Sequence, residues 1–198
     1  MNRVKSERRR CWVRRTFEPL LLAITIVLTT AALQATTLAR MSLAKMTQAA
    51  SVVIRARCVG NSAGWDAGEI WTLSAFDVED VWKGASPERI TVRLLGGRAG
   101  NLTSSVSGVP RFRPGEEVVL FLEPTARGDY SVVSWEQGTF RIGRNAAGAE
   151  SVTQDTAAFA TFDPTTQRYE APGIRGVPIE TLRARVADAL SNSARRKP

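Results

Sequence analysis

Apolar side chains recur at every second position in several short segments between residues 51 and 155. The clearest of these segments is Arg89–Leu95, in which isoleucine, valine and leucine alternate with polar residues. This two-residue period is typical of a β-strand that buries one face. Residues 118–122 are apolar without interruption, which predicts a central strand buried on both faces. A chain with this pattern is expected to form a sheet.

The remaining strands predicted from the same pattern are separated by turns. They cover residues 52–59, 69–82, 130–135 and 139–142, a return strand near Ser151, and a hairpin of residues 159–162 and 168–170. Residues 61–68 are rich in turn-forming residues and are predicted to leave the sheet. Within residues 69–82 the apolar side chains change from one face to the other, which predicts a β-bulge near residues 75 and 76.

Two helices are predicted, one before and one after the strands. Residues 41–50 contain good helix formers. Near the C-terminus, apolar residues three or four apart form one stripe at Ile179, Leu182, Val186 and Leu190. Short strands with regular turns and peripheral helices are typical of small all-β domains. We therefore predict a mainly β fold, a small antiparallel OB-like barrel or sandwich with a short N-terminal helix and a C-terminal helix.

The first 39 residues have the three parts of a secretory signal. A basic segment ends at residue 15, an apolar segment of 14 residues covers 20–33, and alanines at 35 and 39 offer cleavage sites. A bilayer-spanning helix needs roughly 20 residues, so this length favours a cleaved signal peptide over an uncleaved N-terminal anchor. In both cases the basic residues keep the N-terminus inside, and the rest is exported to the periplasm or the cell exterior.

The export segment also carries most of the formal net charge of +8. Residues 1–35 hold seven basic and two acidic residues, whereas the rest of the chain holds 20 basic and 17 acidic residues. A mature part so close to neutrality has no electrostatic footprint for nucleic acid. We predict a signal peptide or anchor at 1–39, a single β-rich domain at 40–190, and a basic disordered tail at 191–198.

The sequence contains no histidine, which excludes catalytic triads with a histidine base and histidine-ligated zinc. Cys58 is the only cysteine that a mature chain would keep, and a lone thiol in an apolar stretch is typical of a buried small side chain. No nucleotide-binding or metalloprotease motif is present. We therefore predict no catalytic residue, no cofactor and no metal ion.

Asp77, Glu79 and Asp80 form an acidic cluster at the end of the predicted long strand. Paired carboxylates are the machinery of glycoside hydrolases, and carboxylate oxygens are ligands for calcium. A solvated strand face explains the same cluster without any chemistry. A carboxylate-dependent hydrolase therefore stays as an alternative function.

The candidate binding residues lie in and beyond a glycine- and serine-rich loop at residues 96–110. Its glycines lack the Lys-Ser/Thr pair of a phosphate-binding loop, so they predict a connecting loop. Arginines that flank an aromatic ring can stack on and pair with an acidic or nucleotide ligand, although a charged strand edge explains them too. Tryptophan is enriched in binding hot spots. The resulting binding set is Gly96, Gly97, Arg98, Arg111, Phe112, Arg113 and Trp135.

The order of these segments resembles a known kind of module. A long strand ends in Val-Trp-Lys-Gly at residues 81–84, and after the glycine loop residues 112–117 lead into the apolar strand. Over residues 50–142 this order is similar to a group of uncharacterised secreted bacterial proteins and to the barrel of tissue inhibitors of metalloproteinases and netrin-type modules. The resemblance implies an OB-like Greek-key barrel. The inhibitors' zinc chelation by an N-terminal cysteine does not carry over, because Cys58 is internal.

These features predict an exported, non-catalytic binding module whose only membrane contact is its N-terminal segment. Its partner is expected to be another exported protein, a protease included, or an envelope polymer, and not nucleic acid. The alternatives are the carboxylate-dependent hydrolase and a membrane-anchored structural protein of the envelope.

Overall fold

The computed structural model describes residues 40–156, 161–163, 167–170 and 173–195. The predicted signal or anchor at residues 1–39 and the predicted strand residues 159 and 160 lie outside the described residues. In chain order the elements are α1 (Leu43–Ala49), β1 (Val52–Asp66), β2 (Glu69–Lys83), β3 (Arg89–Leu95), β4 (Gly97–Ala99), β5 (Leu102–Ser104), β6 (Glu117–Pro124), β7 (Tyr130–Val132), a 3-10 helix (Trp135–Gly138), β8 (Thr139–Arg144), β9 (Glu150–Gln154), β10 (Thr161–Asp163), β11 (Arg168–Glu170), β12 (Val177–Pro178) and α2 (Ile179–Arg195).

Five strands form a ring in the order β1-β2-β3-β7-β6, and β6 pairs again with β1. Neighbouring strands are antiparallel except β3 and β7, which are parallel. This is the partly open Greek-key arrangement of an OB-like barrel, and the predicted fold class is confirmed. The ring is only loosely closed, because β3 and β7 share a single residue pair, Val92 with Tyr130. β8, β9 and β12 continue the sheet from β6.

β1 and β6 separate two hydrophobic cores. Alternate residues of both strands point into the barrel, where they pack against Phe76 and Phe112. The intervening residues, among them Val53 and Phe121, pack against the two helices and against β8 and β9. Residues 118–122 are completely buried, so the prediction of a strand buried on both faces is confirmed.

β1 and β2 form one long hairpin, which corrects the predicted turn at residues 61–68. β1 continues to Asp66, and only Ala67 and Gly68 form the turn, with φ angles of 51° and 85°. A two-residue turn with two positive φ angles matches the twist of the strands that it joins. The pairing therefore continues to the tip of the hairpin although the sequence there is rich in glycine, serine and asparagine.

The predicted change of face near residues 75 and 76 of β2 is also wrong, because the extra residues of β2 in its register with β1 are Glu79 and Trp82. The buried residues of β2 are Ile70, Ser74 and Phe76, which share one face by alternation. Ser74 points inward although it is polar, and its Oγ has no hydrogen-bond partner among the described residues. The irregularity near residues 75 and 76 lies on the opposite strand, where Val59 of β1 is the extra residue.

Both predicted helices are present, and local contacts define the ends of α1. Ser42 caps α1 by accepting a hydrogen bond from the backbone N–H of Lys45. Lys83 closes the other end of α1, because its Nζ donates to the carbonyl oxygens of Thr47 (2.7 Å) and Ala50. In α2 the predicted apolar stripe faces the second core through Ile179, Leu182 and Val186.

Two boundaries differ from the sequence prediction. α2 runs to Arg195, so residues 191–195 of the predicted tail are helical, and residues 196–198 lie outside the described part of the chain. The glycine loop contains the short β4–β5 hairpin, because its glycines and turn residues still permit local pairing. Neither helix of the described chain has the length and hydropathy that crossing a bilayer requires.

Candidate functional site

Four of the predicted binding residues lie together around a small cavity of about 160 Å³. Gly96, Gly97, Arg111 and Phe112 line it, with Asn61 on its β1 side. The two glycines allow a close approach of the chain to β2. A Cβ on Gly97 would lie 2.3 Å from Thr72 Oγ1, and that hydroxyl donates to the carbonyl oxygen of Gly96 at 2.7 Å.

Phe112 is a core residue more than a contact residue. Its side chain is 6% exposed and meets the Phe76 ring edge-on at 5.0 Å between centroids. Such an edge-to-face pair is a favourable aromatic geometry inside a core. Arg111 is exposed beside it, and Arg111 Nη2 donates over 3.4 Å to the carbonyl oxygen of Ser104.

The remaining three predicted residues occupy other places. Arg98 is exposed on β4, where its Nε donates to the carbonyl oxygen of Gly100. Arg113 is exposed in the turn before β6, and its backbone N–H donates to a carboxylate oxygen of Glu116. Trp135 packs against the barrel core at the start of the 3-10 helix. The predicted set is therefore divided between one cavity and three separate positions.

A second and larger cleft lies on the outer face of β2 and β3. It has a volume of about 350 Å³ and lies between the β1–β2 turn and the loop that joins β6 to β7. Its lining residues are Asp66, Ala67, Glu69, Trp71, Arg93, Thr125, Ala126, Arg127 and Ser131. Volumes from about 300 Å³ upward are typical of small-molecule sites.

Ion pairs hold the two walls of this cleft together. Arg93 Nη1 lies 2.6 Å from Asp66 Oδ2, and Arg93 Nε lies 2.8 Å from Asp129 Oδ2. Arg127 Nη1 reaches the same oxygen of Asp66 at 2.7 Å. The Arg93 guanidinium also lies 5.1 Å from the centre of the Trp71 ring, within the range of a cation–π contact. Arg93 therefore fixes the indole and both loops in one arrangement.

The carboxyl of Asp129 is ionised by its partners. Burial raises its pKa, but hydrogen bonds from Thr125 and Arg93 and the charge of Arg93 outweigh burial, so the net pKa is lowered. Asp129 adds its carboxylate to a cleft lined by the carboxyl groups of Asp66 and Glu69 and the guanidinium groups of Arg93 and Arg127.

The alternation of β3 contains a sequence signal for this cleft. Arg93 alternates with the buried residues of β3 and must point outward. In the β2–β3 register Trp71 pairs with Leu95 and Leu73 pairs with Arg93, so Trp71 and Arg93 share the outer face. The predicted change of face within residues 69–82 was wrong at residues 75 and 76, and for that reason the sequence did not predict that Trp71 and Arg93 lie on the same face.

Carboxylates of the acidic cluster at the end of β2 form ion pairs with arginines. Arg89 Nε lies 2.7 Å from Asp77 Oδ1, and Glu79 contacts Arg55 at 2.9 Å and Arg57 at 3.0 Å. Within the described ranges, no three side chains of histidine, cysteine, aspartate or glutamate lie close enough to hold a metal ion together. The carboxylates that the hydrolase alternative requires are therefore engaged in structural ion pairs.

Glu136 is a titratable residue that the sequence analysis did not single out. It lies in the 3-10 helix after Ser134 and Trp135, whose φ angles of 52° and 54° are left-handed and costly for residues with a Cβ. Its Oε2 is buried and lacks a hydrogen-bond partner among the described residues. Burial, together with the nearby charge of Asp155 and against the charge of Arg141, raises the pKa of Glu136 to about 7.

Glu136→Gln is expected to stabilise the protein above neutral pH. Because the folded pKa is raised, protonated Glu136 contributes stability that is fully present below about pH 4.5 and is lost as the pH rises through about 7. We expect the free energy of unfolding of the variant to exceed that of the parent by about 1–2 kcal/mol at pH 8, and by almost nothing at pH 4. Urea denaturation at both pH values measures this difference.

The exposed residue Glu88 provides the control for Glu136. Glu88→Gln removes a carboxylate from a solvated position, so it should leave the pH dependence of unfolding unchanged. Equal effects of the two substitutions at pH 8 would contradict the assignment of a buried protonated carboxyl.

Comparison with known proteins assigns no family to this chain. No protein-family model matches its sequence, and no curated protein is similar to it beyond chance. The resemblance to inhibitors of metalloproteinases and netrin-type modules therefore stays a prediction.

Proposed function

We propose that this protein is an exported, non-catalytic binding module that holds a segment of a hydroxyl-rich envelope polysaccharide in the cleft around Trp71. The observation that carries the proposal is the Trp71–Arg93 pair on the floor of a preformed cleft of about 350 Å³. Export belongs to the proposal and is supported by the basic, apolar and small-residue segments of residues 1–39.

The position of the cleft supports a ligand-binding role. On OB barrels, the face of the second and third strands and the two loops beside it bind oligosaccharides and oligonucleotides. Here the β1–β2 turn and the β6–β7 loop border the same face. This is an analogy of fold. The choice between an oligosaccharide and an oligonucleotide therefore depends on the chemistry of the lining residues.

Charge balance favours a neutral ligand over a nucleic acid. Arg93 and Arg127 are matched by Asp66 and Asp129 in direct ion pairs, and Glu69 adds a further carboxylate. Phosphate backbones require an excess of unpaired cations, which this cleft does not offer. Binding of anionic polymers is therefore disfavoured.

The same residues suit hydroxyl groups. A hydroxyl both donates and accepts hydrogen bonds, and in this cleft carboxylate oxygens and guanidinium N–H groups lie next to each other. The Trp71 indole adds a flat apolar surface with a polar N–H, which matches the C–H face of a sugar ring. Because the ion pairs fix these groups before binding, a rigid ligand loses little free energy in ordering them.

Retention on insoluble polysaccharides tests the proposal. The probes are chitin, cellulose and purified peptidoglycan, incubated with protein from cells that express the full coding sequence. We expect retention on at least one of them, and at least about tenfold weaker binding for Trp71→Ala, because an aromatic platform commonly contributes more than 1.4 kcal/mol to binding.

A pair of arginine variants locates the ligand. Arg127→Ala removes a cleft residue that is half exposed, whereas Arg98→Ala removes an exposed arginine of the glycine loop. Weaker binding by Arg127→Ala alone supports the cleft. Weaker binding by Arg98→Ala alone transfers the site to the glycine loop, and absence of retention on all three probes rejects the polysaccharide proposal.

A further inference from the structure

The outer half of β1 has an unprotected strand edge. Along residues 52–57 β1 is paired on both sides, with β2 and with β6. β6 begins at Glu117, opposite Arg57, and the turn before it makes the last backbone contacts through Cys58. From Gly60 to Asp66, β1 is paired with β2 alone among the described residues. We call residues 60–65 on this side the free edge.

The backbone groups that face outward can be assigned from the hairpin. Asp66 and Glu69 close the two-residue turn as a hydrogen-bonded pair, and such pairs alternate with pairs that are not hydrogen-bonded. The N–H and C=O groups of Asn61, Ala63 and Trp65 therefore point away from β2. The same alternation is seen on the other side of β2. Ile70 pairs with Trp65, and its carbonyl oxygen faces away from β1, because it accepts a hydrogen bond from the backbone N–H of Gly96.

The free edge lacks the usual protection against pairing. Natural edge strands carry lysine, proline, bulges or other charges that block association. Residues 60–65 contain no charged residue and no proline, and a Cβ added to Gly60 or Gly64 would meet nothing within 4 Å. Trp65 is 58% exposed. An uncharged edge with an exposed aromatic side chain is suited to a second strand.

The edge is complementary to itself. In antiparallel pairing about a two-fold axis at Ala63, each Ala63 lies opposite its copy and each Trp65 lies opposite the other copy's Asn61. This register joins the outward groups through about six main-chain hydrogen bonds. It brings no charge opposite a like charge, because Asp66 lies opposite Gly60.

The side chains also fit. Asn61, Ala63 and Trp65 share one face of β1 by alternation, and Asn61 lines the cavity of about 160 Å³ together with Arg111. A Trp65 placed opposite Asn61 has its side chain on that same face. The exposed guanidinium of Arg111 is then in a position to contact the indole, as arginine does with aromatic faces.

We propose that the free edge of β1 pairs with the same edge of a second copy of this chain, so that each Trp65 enters the other copy's cavity beside Asn61. The product is a closed symmetric dimer with one continuous sheet across the two copies. None of residues 60–65 lines the cleft around Trp71, so the dimer and the polysaccharide proposal stand or fall independently.

Sedimentation velocity from about 1 to 100 µM tests the dimer, with protein from cells that express the full coding sequence. We expect the parent protein to shift from monomer to dimer. Ala63→Pro removes the backbone N–H of residue 63, which points away from β2, and leaves the backbone hydrogen bonds between β1 and β2 intact. Trp65→Ala removes the side chain that is proposed to enter the other copy's cavity. Both variants should associate at least about tenfold more weakly.

Three controls make the result decisive. Leu102→Ala removes another exposed apolar side chain, 52% exposed and outside the edge, and should dimerise as the parent does. Far-ultraviolet circular dichroism shows whether Ala63→Pro is folded, and Trp65→Ala decides the test if it is not. Hydrogen exchange should show that the amides of Asn61, Ala63 and Trp65 gain protection as concentration rises.

Other outcomes overturn the inference. If the parent protein stays monomeric at 100 µM, the free edges of two copies do not associate with useful affinity, and the inference is wrong. A dimer that persists equally in Ala63→Pro and Trp65→Ala uses another surface, and assembly beyond a dimer contradicts closure by a two-fold axis.

Discussion

Replacing Glu117 by glutamine is expected to lower the free energy of unfolding by about 3 kcal/mol at pH 7. The Glu117 side chain is only 4% exposed and contacts three arginines, Arg55 at 3.0 Å, Arg57 at 2.6 Å and Arg144 at 2.6 Å. Its removal leaves these guanidinium groups with fewer carboxylates on the outer face of β1, where Glu79 and Glu150 remain. Removing one partner of a buried ion pair is costly because the remaining charge is poorly compensated.

The loss should depend on pH. A hydrogen bond from Arg144 and the charges of Arg57 and Arg144 outweigh burial and lower the pKa of Glu117 to about 2. A lowered pKa means that the ionised carboxylate contributes stability that is present above about pH 4.5 and is lost as the pH falls through about 2. The difference between parent and variant should therefore be constant from pH 5 to 7 and shrink below pH 4.

Urea denaturation at pH 7 and at pH 3 measures this effect. Glu123→Gln provides a matched control, since Glu123 lies on the same strand but is exposed, and surface changes of this kind are usually within 0.5 kcal/mol. If Glu117→Gln is as mild as Glu123→Gln at pH 7, the arginine network does not stabilise the fold.

Gly84→Ala is expected to destabilise the protein by about 3 kcal/mol. Gly84 has a φ of 75°, and a Cβ at this position would lie 2.4 Å from the carbonyl oxygen of Ser51. The left-handed conformation alone costs an alanine roughly 1–2 kcal/mol. The contact with a backbone oxygen adds to that cost, because the segments around Gly84 and Ser51 cannot move apart without disturbing the start of β1.

Gly148→Ala separates the two causes. Gly148 has a similar φ of 79°, but a Cβ there would meet nothing within 4 Å. Thermal unfolding should therefore show about 1 kcal/mol of destabilisation for Gly148→Ala and clearly more for Gly84→Ala. Equal shifts in Tm would mean that the chain relaxes around Ser51 and that the close approach is unimportant.

The Lys83-Gly84 pair has a structural role in this protein. Lys83 Nζ donates to carbonyl oxygens at the end of α1, and burial lowers the pKa of this lysine. Gly84 allows the chain to pass close to Ser51. The pair thus joins the end of β2 to α1 and to the start of β1, and the motif that carries the resemblance is explained by packing within this chain.

Local pattern was sufficient for the elements whose side chains alternate between one buried and one exposed face. Arg89–Leu95 was predicted at its observed bounds, because a strand with one buried face must repeat every two residues. The uninterrupted apolar run at 118–122 identified the strand between two cores, because a strand buried on both faces is apolar at every position. The α2 stripe followed from the helical period. Each of these properties depends on neighbours along the chain.

Tertiary structure alone decided the orientation of β2, because its register with β3 places Ser74 inside and Trp71 outside against the local pattern. It also decided the candidate site. The cleft combines Asp66, Trp71, Arg93 and Arg127, which come from four different segments, and only strand pairing brings them together. The free edge of β1 exists because β6 starts opposite Arg57 and leaves the outer residues of β1 unpaired on that side. The period of a sequence determines which face a strand buries, but the partners of that strand and the place where pairing ends depend on residues that are distant in the chain.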